Sequence, residues 1–192
     1  MGGESLTPIQ KRAHVTLLIQ AGADTTGTAL GATLRFLTMN DKKMKAAWQE
    51  IEAADRAGKL STPIQYEETR DHLPYVCACI KEATRLCPPA DNLFGRVVGK
   101  GGKVIDGYVL EPGTEITSNA YVVQRDPVLY APDLEAFCPE RWLGNKEKAA
   151  EMDLHSFVFG IGPRICLGKD VALIELHKLI PEVLSPHDPT KH

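Results

Sequence analysis

Hydrophobic positions early in the chain follow a helical pattern without a polar face. From residue 13 to residue 37, apolar and small residues occupy nearly every side of the helix, which is typical of a helix surrounded by protein. Its start is marked by Thr7-Pro8-Ile9-Gln10, which supplies a capping hydroxyl, a proline at the first helical position and a glutamine three residues after the cap. We therefore predict a long, buried helix over residues 8–37.

Two more helices are predicted before the middle of the chain. Residues 41–57 place apolar side chains on one face and are followed by Gly58, a common helix stop. After a polar connector, Pro74 opens a third helix, which runs to Leu86 and is ended by Pro88-Pro89.

Short extended segments follow, and they predict a small antiparallel β part. Asp106-Gly107 is a strong signal for a two-residue hairpin turn between two of these segments. The predicted strands are residues 93–98, 103–105, 108–110 and 114–118.

The last third of the chain is predicted to contain short helices and loops over residues 120–145, because prolines interrupt it. A final helix is expected to begin at or near Cys166 and to run to about Leu184, with Pro181 bending it. The fold class is therefore mainly α with a small antiparallel β part (α+β), and the 192 residues suit a single domain over residues 1–192.

Composition narrows the function classes but identifies no chemistry. The chain has 22 basic and 25 acidic residues and a formal net charge of −3, so a nucleic-acid surface is not expected. No apolar run reaches the about 18 residues that span a bilayer, and the first ten residues do not resemble a signal peptide. The absence of such a run predicts a chain without a transmembrane anchor. The five cysteines are odd in number and widely spaced, which predicts a reducing, intracellular location.

The most specific string is FGIGPRICLG, residues 159–168. Its glycines and proline predict a tight loop, and Cys166 stands where that loop is expected to enter a helix. Backbone N–H groups there favour a thiolate, which suits a soft or borderline metal. A buried structural cysteine is the alternative interpretation. A dinucleotide-binding loop is excluded because Ile165 stands at the position of its third glycine.

Two other groups of residues carry candidate chemistry. AGADTT, residues 21–26, lowers helix propensity in the centre of the first helix, so another group is expected to approach the backbone there. The alternative is a helix-packing notch whose threonines bond to the backbone one turn earlier. Glu82 and Arg85 share one helix face, which alone would indicate a surface ion pair, and Arg141 follows later in the string FCPERW.

Together these strings resemble the motifs of the cytochrome P-450 family. Residues 159–168 match the heme-binding signature F-x-x-G-x-R-x-C-x-G at every fixed position, and residues 21–26 resemble the family's A/G-G-x-D/E-T-T/S motif. Glu82 and Arg85 are similar to its E-x-x-R motif, and Arg141 lies in a P-E-R segment. The four motifs occur in family order between Leu6 and Leu184.

The resemblance implies a heme-thiolate monooxygenase that inserts one oxygen atom of O₂ into a small organic substrate. It implies that Cys166 is the metal ligand, bound to the heme iron, and that Asp24 and Thr25 guide protons during dioxygen activation. Electrons would come from an NADPH-dependent reductase, and family members are typically found on the endoplasmic reticulum membrane. The other residues implied to contact the heme are Ala21, Gly22, Arg96, Phe159, Arg164 and Gly168.

Further roles are implied for residues outside the heme contacts. Glu82, Arg85 and Arg141 would form a buried triad that fixes the cysteine loop. Arg96 is equally compatible with a solvated strand position. Residues 91–93 are candidates for the substrate pocket. Gln124, where histidine often stands in the family, is expected to touch no group with a chemical role.

The resemblance corresponds to the C-terminal portion of the family fold, because family members are much longer. The first helix is therefore expected to expose apolar surface, through which the chain could associate. The alternative function is a truncated, non-catalytic remnant that at most binds heme.

Overall fold

The computed structural model describes residues 5–91 and 95–185, which form mainly helices with two small antiparallel sheets. The helices are α1 (Pro8–Thr38), α2 (Asp41–Arg56), α3 (Tyr66–His72), α4 (Pro74–Leu86), α5 (Ala120–Val123), α6 (Pro127–Tyr130), α7 (Lys146–Leu154) and α8 (Lys169–Leu184). The strands are β1 (Arg96–Val97), β2 (Lys103–Ile105), β3 (Tyr108–Leu110) and β4 (Glu115–Ile116). The predicted fold class is confirmed.

The start of α1 is confirmed, but its burial differs from the prediction. Thr7 Oγ1 accepts a hydrogen bond from the Gln10 amide at 3.3 Å, and Gln10 Oε1 accepts one from the Thr7 amide at 2.9 Å. Residues 8–24 are exposed, whereas several side chains from Thr26 onwards are buried. The prediction of a helix buried along its whole length is therefore wrong for residues 8–24, because no described element covers them, whereas the expectation that the first helix exposes apolar surface is confirmed.

The core forms around α4, which packs against α1, α2, α3 and α8. Pro74 begins α4, and the next two amide groups, of Tyr75 and Val76, donate to the Glu50 carboxylate of α2 at 2.8 and 2.9 Å. Burial raises the pKa of Glu50, although both amide bonds act in the opposite direction. The largest apolar side chains of this core include Leu37, Ile51, Leu73, Val76, Leu176 and Ile180.

A second apolar cluster holds the irregular part of the chain against α4. Three large side chains are buried against Ala78 of α4. They belong to Tyr130 of α6, to Trp142 in the segment before α7, and to Met152 of α7. The core therefore contacts α4 through Val76, Cys79, Ile80, Ala83 and Leu86, and the second cluster contacts it through Ala78.

Two helices were not predicted from the hydrophobic pattern. In α3 the buried residue is Thr69, and in α7 it is Met152, so neither helix shows a clear apolar stripe. Their caps were the available signal. Glu68 accepts from the Gln65 amide at 2.9 Å at the start of α3, and Asn145 accepts from the Lys148 amide at 2.9 Å at the start of α7.

The hairpin is confirmed, and the other strands are shorter than predicted. β2 and β3 are joined through Asp106 and Gly107, whose positive φ angles of 49° and 80° suit a tight hairpin turn. β1 pairs with β4 in the register Arg96 to Ile116. Residues 93 and 94 of the predicted first strand lie outside the described residues.

The final helix starts later than predicted. α8 begins at Lys169, so Cys166 lies in the preceding loop and not at the helix start. Pro181 lies inside α8, which ends at Leu184 as predicted. Glu182 of α8 accepts a hydrogen bond from the Ile64 amide at 2.9 Å, and this bond fixes the approach to α3. Over the described residues, α1 and the other helices are all too short or too polar to cross a membrane.

His177 makes the packing of α8 on α3 sensitive to pH. Its ring is buried, contacts the Tyr66 ring edge-on at 5.5 Å, and lies 2.8 Å from the Leu173 carbonyl through Nδ1. Burial lowers the pKa of His177, and the charge of Lys81 also lowers it, although the contact with the Leu173 carbonyl acts in the opposite direction. The unfolded chain therefore takes up a proton before the folded chain does, so stability falls as pH falls below the ordinary histidine pKa.

We predict that His177→Gln flattens the dependence of stability on pH between about pH 7.5 and about pH 5. Urea midpoints measured across this range test the prediction. His155→Gln is the matched control, because His155 also contacts the carbonyl four residues earlier but is exposed. An equal pH slope in the unsubstituted chain and the His177 variant would contradict the assignment.

Candidate functional site

A buried carboxylate on α4 lies at the centre of the site. Glu82 is 0% exposed and Arg85, one turn later, is 1% exposed. Arg85 Nε donates to one Glu82 oxygen and Nη2 to the other, both at 2.9 Å, which is a bidentate ion pair. The interpretation of these residues as a surface ion pair is therefore wrong.

The segment before α7 supplies three more donors to the same carboxylate. Arg141 Nε donates to Glu82 Oε1 at 2.9 Å, and Trp142 Nε1 donates to Glu82 Oε2 at 2.9 Å. The Cys138 amide also donates to Oε1, at 3.1 Å. Pro139–Trp142 is a 3₁₀ turn, which brings the Arg141 and Trp142 side chains to one carboxylate.

The remaining N–H groups of both guanidinium groups donate to backbone carbonyls of the segment of residues 124–142. Arg85 Nη1 donates to the carbonyls of Gln124 and Leu134, each at 2.9 Å. Arg141 donates to the carbonyls of Tyr130 and Asp133 at 2.7 and 2.8 Å. The charged cluster of Glu82, Arg85 and Arg141 therefore ties residues 124–142 to α4.

Cys166 lies at the end of a closed loop and is exposed. Its amide donates to the Phe159 carbonyl at 2.8 Å, across the turn of the loop. Gly160 and Gly162 have φ angles of 71°, which side chains with a Cβ atom rarely adopt. Because the thiol is exposed, the alternative of a cysteine packed in the core does not describe Cys166.

Two other cysteines show the contrasting environment. Cys79 of α4 is buried, and burial raises the pKa of Cys77 to about 12 and that of Cys79 above its ordinary range. Both side chains therefore stay protonated thiols, which are poor metal ligands.

The other sequence-predicted residues of the loop and sheet lie near the surface. Phe159 is half-buried, and the Lys169 ammonium lies 5.9 Å from its ring centroid. Arg164 and Gly168 are exposed. Arg96 is exposed in β1 and donates to the Gly95 carbonyl at 3.2 Å, so its place fits both interpretations given for it.

The α1 motif lies where the exposed and buried parts of that helix meet. Ala21, Gly22 and Asp24 are exposed, and Thr25 is half-buried. Thr25 Oγ1 donates to the Ala21 carbonyl at 2.8 Å, which is the backbone bond of the alternative interpretation. Apart from the neighbouring residues and nearby backbone of α1 itself, no described atom lies within 4 Å of a Cβ placed at Gly22, so close packing of another helix does not explain the glycine.

The structure does not join all of the predicted residues directly. Glu82, Arg85 and Arg141 are brought together, whereas no hydrogen bond or ion pair between described side chains connects Asp24 or Thr25 with Cys166. Of the pocket candidates, the Asp91 carbonyl accepts from Asn119 at 2.8 Å, and residues 92 and 93 lie outside the described part of the chain.

Two residues of the site were not predicted from the sequence. Trp142 binds Glu82 directly, as described above, and Gln124 touches Arg85 through its carbonyl. The expectation that Gln124 touches no group with a chemical role is therefore wrong. A tryptophan directly after the P-E-R segment was a visible signal for the first, whereas the second was marked only by standing where histidine is common in the family.

The residues of the loop fit a heme bound by one thiolate. The exposed sulfur of Cys166 is a soft donor, the loop that holds it is closed by its own hydrogen bond, and exposed Arg164 offers a cation suited to a carboxylate. Among residues 5–91 and 95–185, no three His, Cys, Asp or Glu side chains are grouped to hold a bare metal ion.

Comparison with known proteins gives one consistent family. The cytochrome P450 family profile matches residues 1–188. The chain is 42% identical over 166 residues to cytochrome P450 monooxygenase cicH of Emericella nidulans, which covers 86% of this chain and 33% of that protein. It is 35% identical to pisatin demethylase of Fusarium vanettenii, over 96% of this chain and 34% of that protein.

A third relative is cytochrome P450 monooxygenase ACRTS1 of Alternaria alternata, which is 38% identical over 85% of this chain and 44% of its own length. The chain therefore spans between about a third and less than half of the length of these relatives.

We predict that Glu82→Ala destabilises the chain by about 3–5 kcal/mol, because it leaves two guanidinium groups buried without a counter-charge. Denaturant unfolding measures the change. Glu52→Ala is the control, since Glu52 pairs with Arg56 on the exposed face of α2 and should cost about 0–1 kcal/mol. Equal losses for the two variants would show that the buried carboxylate does not hold the segment.

Proposed function

Because the chain belongs to the cytochrome P450 family, we propose that it forms the heme-binding part of a heme-thiolate monooxygenase, with Cys166 as the iron ligand. The observation that carries the proposal is the exposed Cys166 thiol on a closed loop that matches the family's heme-binding signature. The buried cluster on α4 supports it, because it supplies a fixed base for the chain that leads to this loop.

The residues around the loop have distinct parts in holding the heme. Cys166 Sγ would bind the heme iron, and Arg164 would offer a cation to a propionate carboxylate, with Arg96 as the second candidate. Phe159 and Gly168 flank the sulfur in sequence, and Ala21 and Gly22 leave the α1 surface free of large side chains. When bound, the heme supplies dioxygen activation, which the electron-donating thiolate promotes.

Asp24 and Thr25 are proposed to hold and move protons. The Thr25 hydroxyl donates its hydrogen to the Ala21 carbonyl, so its oxygen presents lone pairs that accept a hydrogen bond from water. The Asp24 carboxylate is exposed and can exchange protons with solvent.

The reaction proposed is hydroxylation or oxidative demethylation of a small organic molecule, with electrons from an NADPH-dependent reductase. One relative is named a demethylase, and others are named monooxygenases.

The exposed apolar side chains of residues 8–24, including Val15, Leu17, Leu18 and Ile19, give a surface through which the chain could associate.

We predict that the chain with heme shows the red-shifted carbon monoxide difference band of thiolate-ligated ferrous heme, and that Cys166→Ala abolishes it. Cys87→Ala is the matched control, because Cys87 is a half-buried cysteine at the end of α4, outside the loop. Retention of the band in the Cys166 variant would refute the ligand assignment, whatever the activity.

We predict that Asp24→Asn lowers product formation per NADPH consumed by on the order of 10²-fold, because a proton donor is lost. Asp41→Asn is the control, because Asp41 lies in the first turn of α2, outside the motif. The carbon monoxide band should be unchanged in both. A chain that binds heme but forms no product with any reductase would instead support the alternative of a heme-binding protein without turnover.

A further inference from the structure

Gln124 is a buried polar residue that contacts both the charged cluster and the cysteine loop. It follows α5 as the C-cap residue and is 1% exposed. Its backbone carbonyl accepts a hydrogen bond from Arg85 Nη1 at 2.9 Å. Its side-chain Oε1 accepts one from the Phe157 amide at 3.2 Å. One residue is therefore fixed by the cluster at its backbone and reaches the loop with its side chain.

Of the two polar atoms of the Gln124 side-chain amide, only the oxygen has a hydrogen-bond partner among the described residues. A backbone N–H must donate to an acceptor, so the oxygen has to face Phe157 and the orientation of the amide is determined. The Nε2 group is buried, and no partner for it exists among the described residues. Burying an unpaired amide nitrogen is unfavourable, and an apolar side chain of similar length would avoid that cost. The acceptor oxygen is thus the part of Gln124 that the structure uses.

Two further hydrogen bonds lead from Phe157 to Cys166. The Gly160 amide donates to the Phe157 carbonyl at 3.1 Å, so Phe157 is the first residue of a turn through Val158 and Phe159. The Phe159 carbonyl then accepts from the Cys166 amide at 2.8 Å. Fixing Phe157 therefore fixes the turn on which the Cys166 backbone rests.

The backbone of Gln124 is itself held firmly, which makes it a suitable support. Arg125, the next residue, donates from Nη2 to the Leu86 carbonyl at the end of α4 at 3.0 Å. Arg85 of α4 donates to the Gln124 carbonyl. Residue 124 therefore accepts a hydrogen bond from the end of α4, and residue 125 donates one to it. Movement of Gln124 relative to α4 would break both bonds.

We infer that Gln124 is a positioning residue for the proposed iron ligand, since it transmits the fixed geometry of the Glu82–Arg85 pair through Phe157 to the Cys166 loop. The inference rests on the proposed function for the identity of the ligand. The hydrogen-bond path itself is a property of the protein without heme and can be tested without it.

The test compares two substitutions that differ in the acceptor. Gln124→Met keeps the length of the side chain but removes the oxygen, whereas Gln124→Glu keeps an oxygen for the Phe157 amide. Gln49→Met is the control for the same chemical change at an exposed position of α2. Amide hydrogen exchange is measured by NMR across residues 157–166 and across α4, followed by the carbon monoxide difference spectrum after heme is added.

We expect Gln124→Met to raise exchange of the Phe157 and Cys166 amides on the order of tenfold, which corresponds to loss of one hydrogen bond, while α4 stays protected. The share of heme with the red-shifted thiolate band should fall in this variant. Gln124→Glu should restore both readouts toward those of the unsubstituted chain, which a purely space-filling role would not require.

Unchanged exchange at residues 157–166 in Gln124→Met would overturn the inference. If that variant does not fold, Gln124→Glu decides, because native protection of the loop supports the inference and increased exchange with α4 intact overturns it. If the unsubstituted chain shows no thiolate band, the proposed function fails, while the exchange comparison still tests the positioning role of Gln124.

Discussion

The carboxylate of Glu82 is the interaction on which the second half of the structure depends. It accepts five hydrogen bonds from four residues while completely buried, and two of those residues are arginines. A buried carboxylate would be very unfavourable if it were unpaired, so its donors must arrive together. Three of the four, Cys138, Arg141 and Trp142, belong to the segment of residues 124–142, which has little regular structure of its own. That segment is therefore ordered by the charge it surrounds.

The balance of charge in this cluster explains why backbone carbonyls complete it. Two guanidinium groups face one carboxylate, so one positive charge is left over inside the protein. Carbonyl oxygens present their partial negative charge to the remaining N–H groups, and these carbonyls belong to Gln124, Tyr130, Asp133, Leu134 and Ala136. Arginine suits this task because its planar head offers five donors in fixed directions, which lysine cannot do.

The sequence predicted the elements whose causes are local. The capping box of α1, the proline start of α4 and the Asp106-Gly107 hairpin all follow from neighbouring residues, and their positions are confirmed. By contrast, α3 and α7 have little apolar periodicity, so the pattern of hydrophobic positions did not reveal them. The start of α8 was placed too early because Leu167 and Gly168 form a turn, which delays the helix to Lys169.

The site shows the same division between local and distant causes. Motif spacing indicated Glu82, Arg85, Arg141 and Cys166, because each lies in a short string of fixed form. Gln124 was not indicated, since its part depends on meeting Arg85 and Phe157, which are distant in sequence. Which backbone carbonyls receive the guanidinium hydrogens could not be predicted either, because irregular chain has no pattern that specifies where its carbonyls point.

The uncovered first half of α1 has a consequence for local opening of the helix. Over residues 8–24 the helix has its own hydrogen bonds and the Thr7 cap, but no tertiary packing among the described residues to add to them. Isolated helices of such length are marginal in water, and glycine at position 22 weakens this one further. Fraying should therefore begin at Pro8 and stop at Thr26, where burial starts. Asp24 and Thr25 then lie at the boundary between the part of α1 that unfolds locally and the part that tertiary packing keeps helical.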